Sequence, residues 1–119
     1  MAHSPRFEKL VSDVKSRVKQ VSAEEARQLQ LHGAVLVDVR ESEEYQQGHA
    51  VGALPIGRGV LELKIEGAVP DPATPIICYC GGGSRSALAA DNLQKMGYTN
   101  VASLATGFRG WKQAGLPTE

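Results

Sequence analysis

Residues Ala34-Val35-Leu36-Val37-Asp38-Val39 form a near-continuous apolar run, rich in β-branched side chains and directly preceded by Gly33. A strand with one face in water alternates apolar and polar residues. This one does not, so it reads as a strand covered on both faces. Pro75-Ile76-Ile77-Cys78-Tyr79 has the same character, and Ala53–Ile56 and Asn100–Leu104 are two further short strands. Helix-period segments lie between these runs. Strands alternating with helices imply an α/β chain built on a mostly parallel sheet with helices on both sides.

The helices carry their own punctuation. Residues 5–19 read as an amphipathic helix, with Ser4 as N-cap, Pro5 at its first position and a stripe of Phe7, Leu10, Val11, Val14 and Val18. Its apolar face predicts docking on the rest of the domain; self-association is the alternative. Ser22-Ala23-Glu24-Glu25 is a capping box opening a helix that stops at Gly33. A short polar helix spans Glu41–Gln47, and Val60–Glu66 is helical through Leu61 and Ile65. Gly67-Ala68-Val69-Pro70-Asp71-Pro72 is a surface loop. The helix over Ser84–Met96 buries Ala89, Leu93 and Met96 and ends at Gly97, and a last helix covers Phe108–Gln113.

Bulk properties narrow the function classes. At 119 residues the chain is one domain with room for a core of its own. With 13 basic and 13 acidic residues its net charge is zero, and aromatics make up 5%. Neither property points to nucleic acid. No apolar run approaches the roughly 20 residues of a membrane span, and the N-terminus has no signal-peptide core. The two cysteines, Cys78 and Cys80, lie too close along one strand to form an unstrained bridge. His3, His32 and His49 are scattered singly, so no metal site is expected. Two unpaired thiols fit a reducing cytoplasm.

The chemistry concentrates in Cys80-Gly81-Gly82-Gly83-Ser84-Arg85-Ser86, where a strand ends and a helix begins. Successive glycines let backbone N–H groups turn inward, and the helix start adds more unpaired N–H groups. A cysteine facing such a cradle has a depressed pKa, because the field stabilises thiolate over thiol.

Four segments resemble those of a single-domain rhodanese. They are Asp38-Val39-Arg40-Glu41 with Glu44-Tyr45, Gly48-His49-Ala50-Val51-Gly52-Ala53, Tyr79 through Ser86, and Gly107-Phe108-Arg109-Gly110-Trp111 running on to Pro117. The resemblance covers residues 20–117, leaving 1–19 as an extra N-terminal helix. It implies a rhodanese-like sheet of about five strands and a sulfurtransferase in which Cys80 cycles through a persulfide. It also implies a small sulfur donor such as thiosulfate, a thiol acceptor such as glutathione or a thioredoxin-like protein, and no cofactor. The N–H groups of Gly81, Gly82, Gly83, Ser84, Arg85 and Ser86 would cradle the charged sulfur. Arg85 is either a donor-binding cation or a surface charge over the helix. A related phosphatase loop would place its Arg where Ser86 stands here, and the loop is one residue shorter, which suits sulfur better than a tetrahedral oxyanion. A non-catalytic persulfide carrier is the other rival. Cys78 is either a resolving thiol or a small core residue. Asp38, Arg40 and His49 are expected to fix turns near the site rather than transfer protons, and Arg58 is either a charge at the rim or a solvated loop cation. Phe108 and Trp111 pack the last helix. Oligomeric state stays open.

Overall fold

The computed structural model describes residues 3–119. Its helices are α1 (Pro5–Lys15), α2 (Ala23–Leu31), α3 (Ser42–Gln46), α4 (Leu61–Ala68), α5 (Ser84–Lys95) and α6 (Gly107–Gln113). The strands are β1 (Lys19–Val21), β2 (Val35–Asp38), β3 (Leu54–Pro55), β4 (Ile76–Tyr79) and β5 (Val101–Leu104). They form one five-stranded parallel sheet in the order β1-β5-β4-β2-β3.

The unalternating runs occupy the centre, as burial on both faces requires. In β4 the side chains alternate between two cores. Ile76 and Cys78, followed by Cys80, face a layer containing Val14 of α1, Leu61 and Ile65 of α4, and Ala89 and Leu93 of α5. Ile77 and Tyr79 face Ala26 of α2 and Phe108 and Trp111 of α6. After β2 the chain moves outward to β3, and after β4 it moves the other way to β5. The connections that leave the paired carboxyl ends of β2 and β4 therefore diverge, and such a point opens the crevice in which α/β proteins place ligands. Cys80 directly follows β4.

Several local expectations are corrected. The first helix ends at Lys15 instead of residue 19, because the chain turns at Ser16 and Arg17, with Arg17 N–H donating to Val14 O, and enters β1 at Lys19. Only Val21 of β1 is buried, so this edge strand lacks an apolar signature, and its pairing to β5 (Gln20 opposite Ser103) defines it. Of the predicted apolar stripe, Val11 and Val14 in α1 and Val18 beyond it are buried but Leu10 is 51% exposed, and the Ser4 side chain makes no capping bond. Met96 is 37% exposed rather than buried; Tyr98 fills the core there and donates its hydroxyl to Val69 O. The Ser22–Glu25 capping box forms in both directions.

Helix α1 lies along α5. Arg17 clamps Asp91 through Nε and Nη2 at 3.0 and 3.1 Å, and the Gln94 amide donates to Arg17 O. That places the start of α1 beside the start of α5. Among the described residues no helix is long and apolar enough to cross a membrane.

Candidate active site

The loop after β4 is shaped by its outward-facing carbonyls. Cys80 O accepts from Phe108 N at 2.7 Å and Gly81 O from Arg109 N at 3.3 Å, joining the loop to the first turn of α6. That junction needs Gly107, whose φ is +63°; a Cβ there would run into the Gly81 carbonyl. Gly83 adopts φ +105°, a left-handed conformation where a Cβ would also overlap Ala105 O. With the carbonyls turned away, N–H groups face the cysteine. Gly83 N–H donates to Cys80 Sγ at 3.1 Å and Ser86 N–H at 3.4 Å.

The Ser86 hydroxyl is a third partner of the sulfur, 3.5 Å away, and is itself held at 2.8 Å by Ser103 Oγ from β5. Burial of Cys80, the largest single influence, pushes its thiol pKa up. The Ser86 hydroxyl and the N–H groups of Ser86, Gly83 and Gly82 outweigh it, so the pKa lies below its ordinary value. Cys78 shares the face but not the donors. Burial, with a smaller contribution from nearby Cys80, pushes Cys78 up to about 12, and it sits within the apolar core as a neutral thiol.

Cys80 opens onto a cleft of about 580 Å³ lined by Gly81, Gly82, Ser84, Arg85 and Arg109, with Glu44 of α3 and His3 and Phe7 from the N-terminal segment. Arg85 is not a free cation: its Nη1 and Nη2 meet the two carboxylate oxygens of Glu44 at 2.8 and 3.1 Å. The Arg85 guanidinium is the main reason the Glu44 carboxyl falls to about 2. Arg109 reaches over the loop, its Nε donating to Gly81 O at 3.3 Å.

The remaining predicted residues lie around this cleft rather than in it. Asp38 and Arg40 form a buried ion pair, with Arg40 Nη2 at 2.8 Å from Asp38 Oδ2 and from Gly48 O. The guanidinium stacks 4.5 Å from the Phe108 ring centroid, so the pair ties the end of β2 to α3 and α6. His49 Nδ1 bonds Tyr45 O at 2.9 Å and its ring stacks on Tyr45. Arg58, expected at the rim, does not line the cleft; its Nη1 pairs with Glu62 at 3.2 Å within the same helical turn. Sequence reasoning missed Glu44 as the partner of Arg85, the hydroxyls of Ser86 and Ser103, the cleft-facing Arg109, and the wall formed by His3 and Phe7. Arg109 stands inside a segment already singled out, and its charge between two packing aromatics was the available signal.

A five-stranded parallel sheet with a cysteine-centred amide loop at the β4–α5 junction can be compared with known families. The family model described as "Rhodanese-like domain" matches residues 22–114. The chain belongs to the rhodanese-like family. It is similar to the thiosulfate sulfurtransferase GlpE of Pseudomonas entomophila, 37% identical over 97 residues that span 82% of this chain and 87% of the relative. Among solved structures, a thiosulfate sulfurtransferase from Pseudomonas aeruginosa superposes with a TM-score of 0.84 at 32% identity, covering 95% of this chain and 22% of that one. A Rhodopseudomonas palustris protein of unknown function, described as a possible tyrosine phosphatase, superposes with a TM-score of 0.81 at 31% identity over 100% and 99% of the two chains. As a rhodanese-like enzyme the chain falls in the sulfurtransferase class. The family match begins at Ser22, so α1, which contributes Phe7 to the cleft wall, lies outside the matched segment.

Proposed function

We propose that this rhodanese-like enzyme moves a sulfane sulfur from thiosulfate or a persulfide donor, through a Cys80 persulfide, to a thiophilic acceptor. The observation that supports it is the convergence of the Gly83 N–H, Ser86 N–H and Ser86 hydroxyl on Cys80 Sγ at the floor of an open cleft. The Cys80 thiolate attacks the outer sulfur of thiosulfate. The S–S bond of the donor breaks, its electron pair leaves with sulfite, and Cys80–S–S⁻ remains. An acceptor anion, cyanide in a test tube or the thiolate of glutathione or a thioredoxin-like protein in a cell, then attacks that outer sulfur and regenerates the Cys80 thiolate. Neither step needs a proton at the attacking atom, which is consistent with Asp38 and Arg40 being spent on each other. Preorganised donors lower the barrier because they already point where the negative sulfur sits. Two reduced thiols suit a reducing compartment such as the cytoplasm.

Intact mass spectrometry after thiosulfate treatment tests the reading. One added sulfur atom, mapped to residue 80 and absent from Cys80→Ser, is the expected result. Retained transfer activity in Cys80→Ser would refute it.

A further inference from the structure

We propose that Arg109, and not Arg85, is the residue that recognises the anionic head of the sulfur donor; this rests on the sulfurtransferase reading above. Both guanidinium groups line the cleft, but their electrostatic situations differ. Arg85 has spent its fork on the two oxygens of Glu44, and the pair carries no net charge into the cleft. Arg109 has no carboxylate partner among the described residues. Among those residues its one side-chain hydrogen bond runs from Nε to the Gly81 carbonyl, which leaves the Nη groups without a bond to them.

The fork is also aimed. Arg109 Nη2 lies so close over Gly82 that a Cβ on Gly82 would overlap it. The group therefore lies against the loop that presents amides to Cys80, on the wall of the same cleft. The reaction imposes a two-part requirement on a thiosulfate-like donor. Its outer sulfur must reach Cys80 Sγ, and its sulfonate oxygens must then project toward the cleft mouth. The amides near Sγ are already committed to the sulfur. A planar fork beside the loop, positive and uncompensated, matches two sulfonate oxygens in a way an ammonium does not. The donor class is thus a small sulfur-terminated oxyanion, recognised at the sulfonate end by Arg109. Its placement depends on the contact between Gly107 and the Gly81 carbonyl that brings α6 against the loop.

The test has a binding arm and a kinetic arm. In a Cys80→Ser background, which binds without turning over, thiosulfate affinity is measured by calorimetry with Arg109 intact and as Arg109→Gln. Loss of one charge-assisted contact predicts affinity weaker by about tenfold. Arg109→Lys should recover only part of it, because the charge returns without the fork. In the Cys80 enzyme, Arg109→Gln should raise KM for thiosulfate by a similar factor while kcat changes by less than about twofold. Lys112→Gln on the same helix serves as control, since Lys112 packs over the Phe108 ring outside the cleft. Unchanged affinity in Arg109→Gln, an equal loss in Lys112→Gln, or no thiosulfate binding to Cys80→Ser would each overturn the proposal. Failure of the cysteine form to acquire sulfur would instead remove the sulfurtransferase reading, while the binding arm still decides whether Arg109 holds the anion.

Discussion

Replacing Ser86 by Ala removes one of three partners of Cys80 Sγ, a hydroxyl that accepts from the thiol and donates to the thiolate, and keeps the N–H groups of Gly83 and Ser86. At 3.5 Å the hydroxyl–sulfur contact is long. Its worth therefore sits at the low end of the roughly 1.5–3 kcal/mol typical of hydrogen bonds to charged groups. A loss of about 1.4 kcal/mol lowers the thiolate fraction about tenfold at any pH well below the titration midpoint. The more basic sulfur is a better nucleophile by about threefold, which offsets part of that loss. The net expectation is a fall of about threefold in alkylation rate at acidic to neutral pH, with the rate–pH curve displaced to higher pH. Well above both midpoints the order reverses and Ser86→Ala reacts about threefold faster, because both sulfurs are then fully ionised. The assay is iodoacetamide alkylation of Cys80 followed by mass spectrometry across the pH range. Cys78 stays silent in it, because burial holds that thiol up at about 12. Ser103→Ala, which removes only the 2.8 Å support behind the Ser86 hydroxyl, should move the curve in the same direction by less. Superposable curves for wild type and Ser86→Ala would show that the hydroxyl contributes nothing to the thiolate, and the account of the site would fail at that point.

Cys78→Ala should lower stability by about 1–2 kcal/mol through lost packing, and thiosulfate loading of Cys80 should survive; chemical denaturation and intact mass together check this, and lost loading in a folded variant would demand a two-cysteine mechanism. Asp38→Asn should cost roughly 3–5 kcal/mol in urea unfolding, because it leaves the Arg40 guanidinium buried without its counter-charge. The double replacement Asp38→Leu with Arg40→Met should recover much of that loss. If Asp38→Asn instead folds normally and fails to load sulfur, the residue has a role in the chemistry that an ion pair does not explain.

The central features of this molecule rest on short-range information. Unbroken apolar runs at residues 34–39 and 75–79 demand a sheet covered on both faces, and a triple glycine between such a strand and a helix start leaves little freedom beyond an amide loop beneath Cys80. Those features were readable because each depends on neighbours within a few residues. The edge strand β1 was not, since Lys19-Gln20-Val21 buries one side chain and owes its identity to β5. The electrostatics of the cleft were equally hidden. Arg85 meets Glu44 across 41 positions, Arg109 meets Gly81 across 28, and Ser86 meets Ser103 across 17. Whether an arginine is neutralised or left open to a ligand depends on which carboxylate the fold brings within reach, and no local pattern encodes that. Hence the reactive sulfur could be found from the linear order of residues, whereas the cation beside it was identified only once α3 and α6 had closed around the loop.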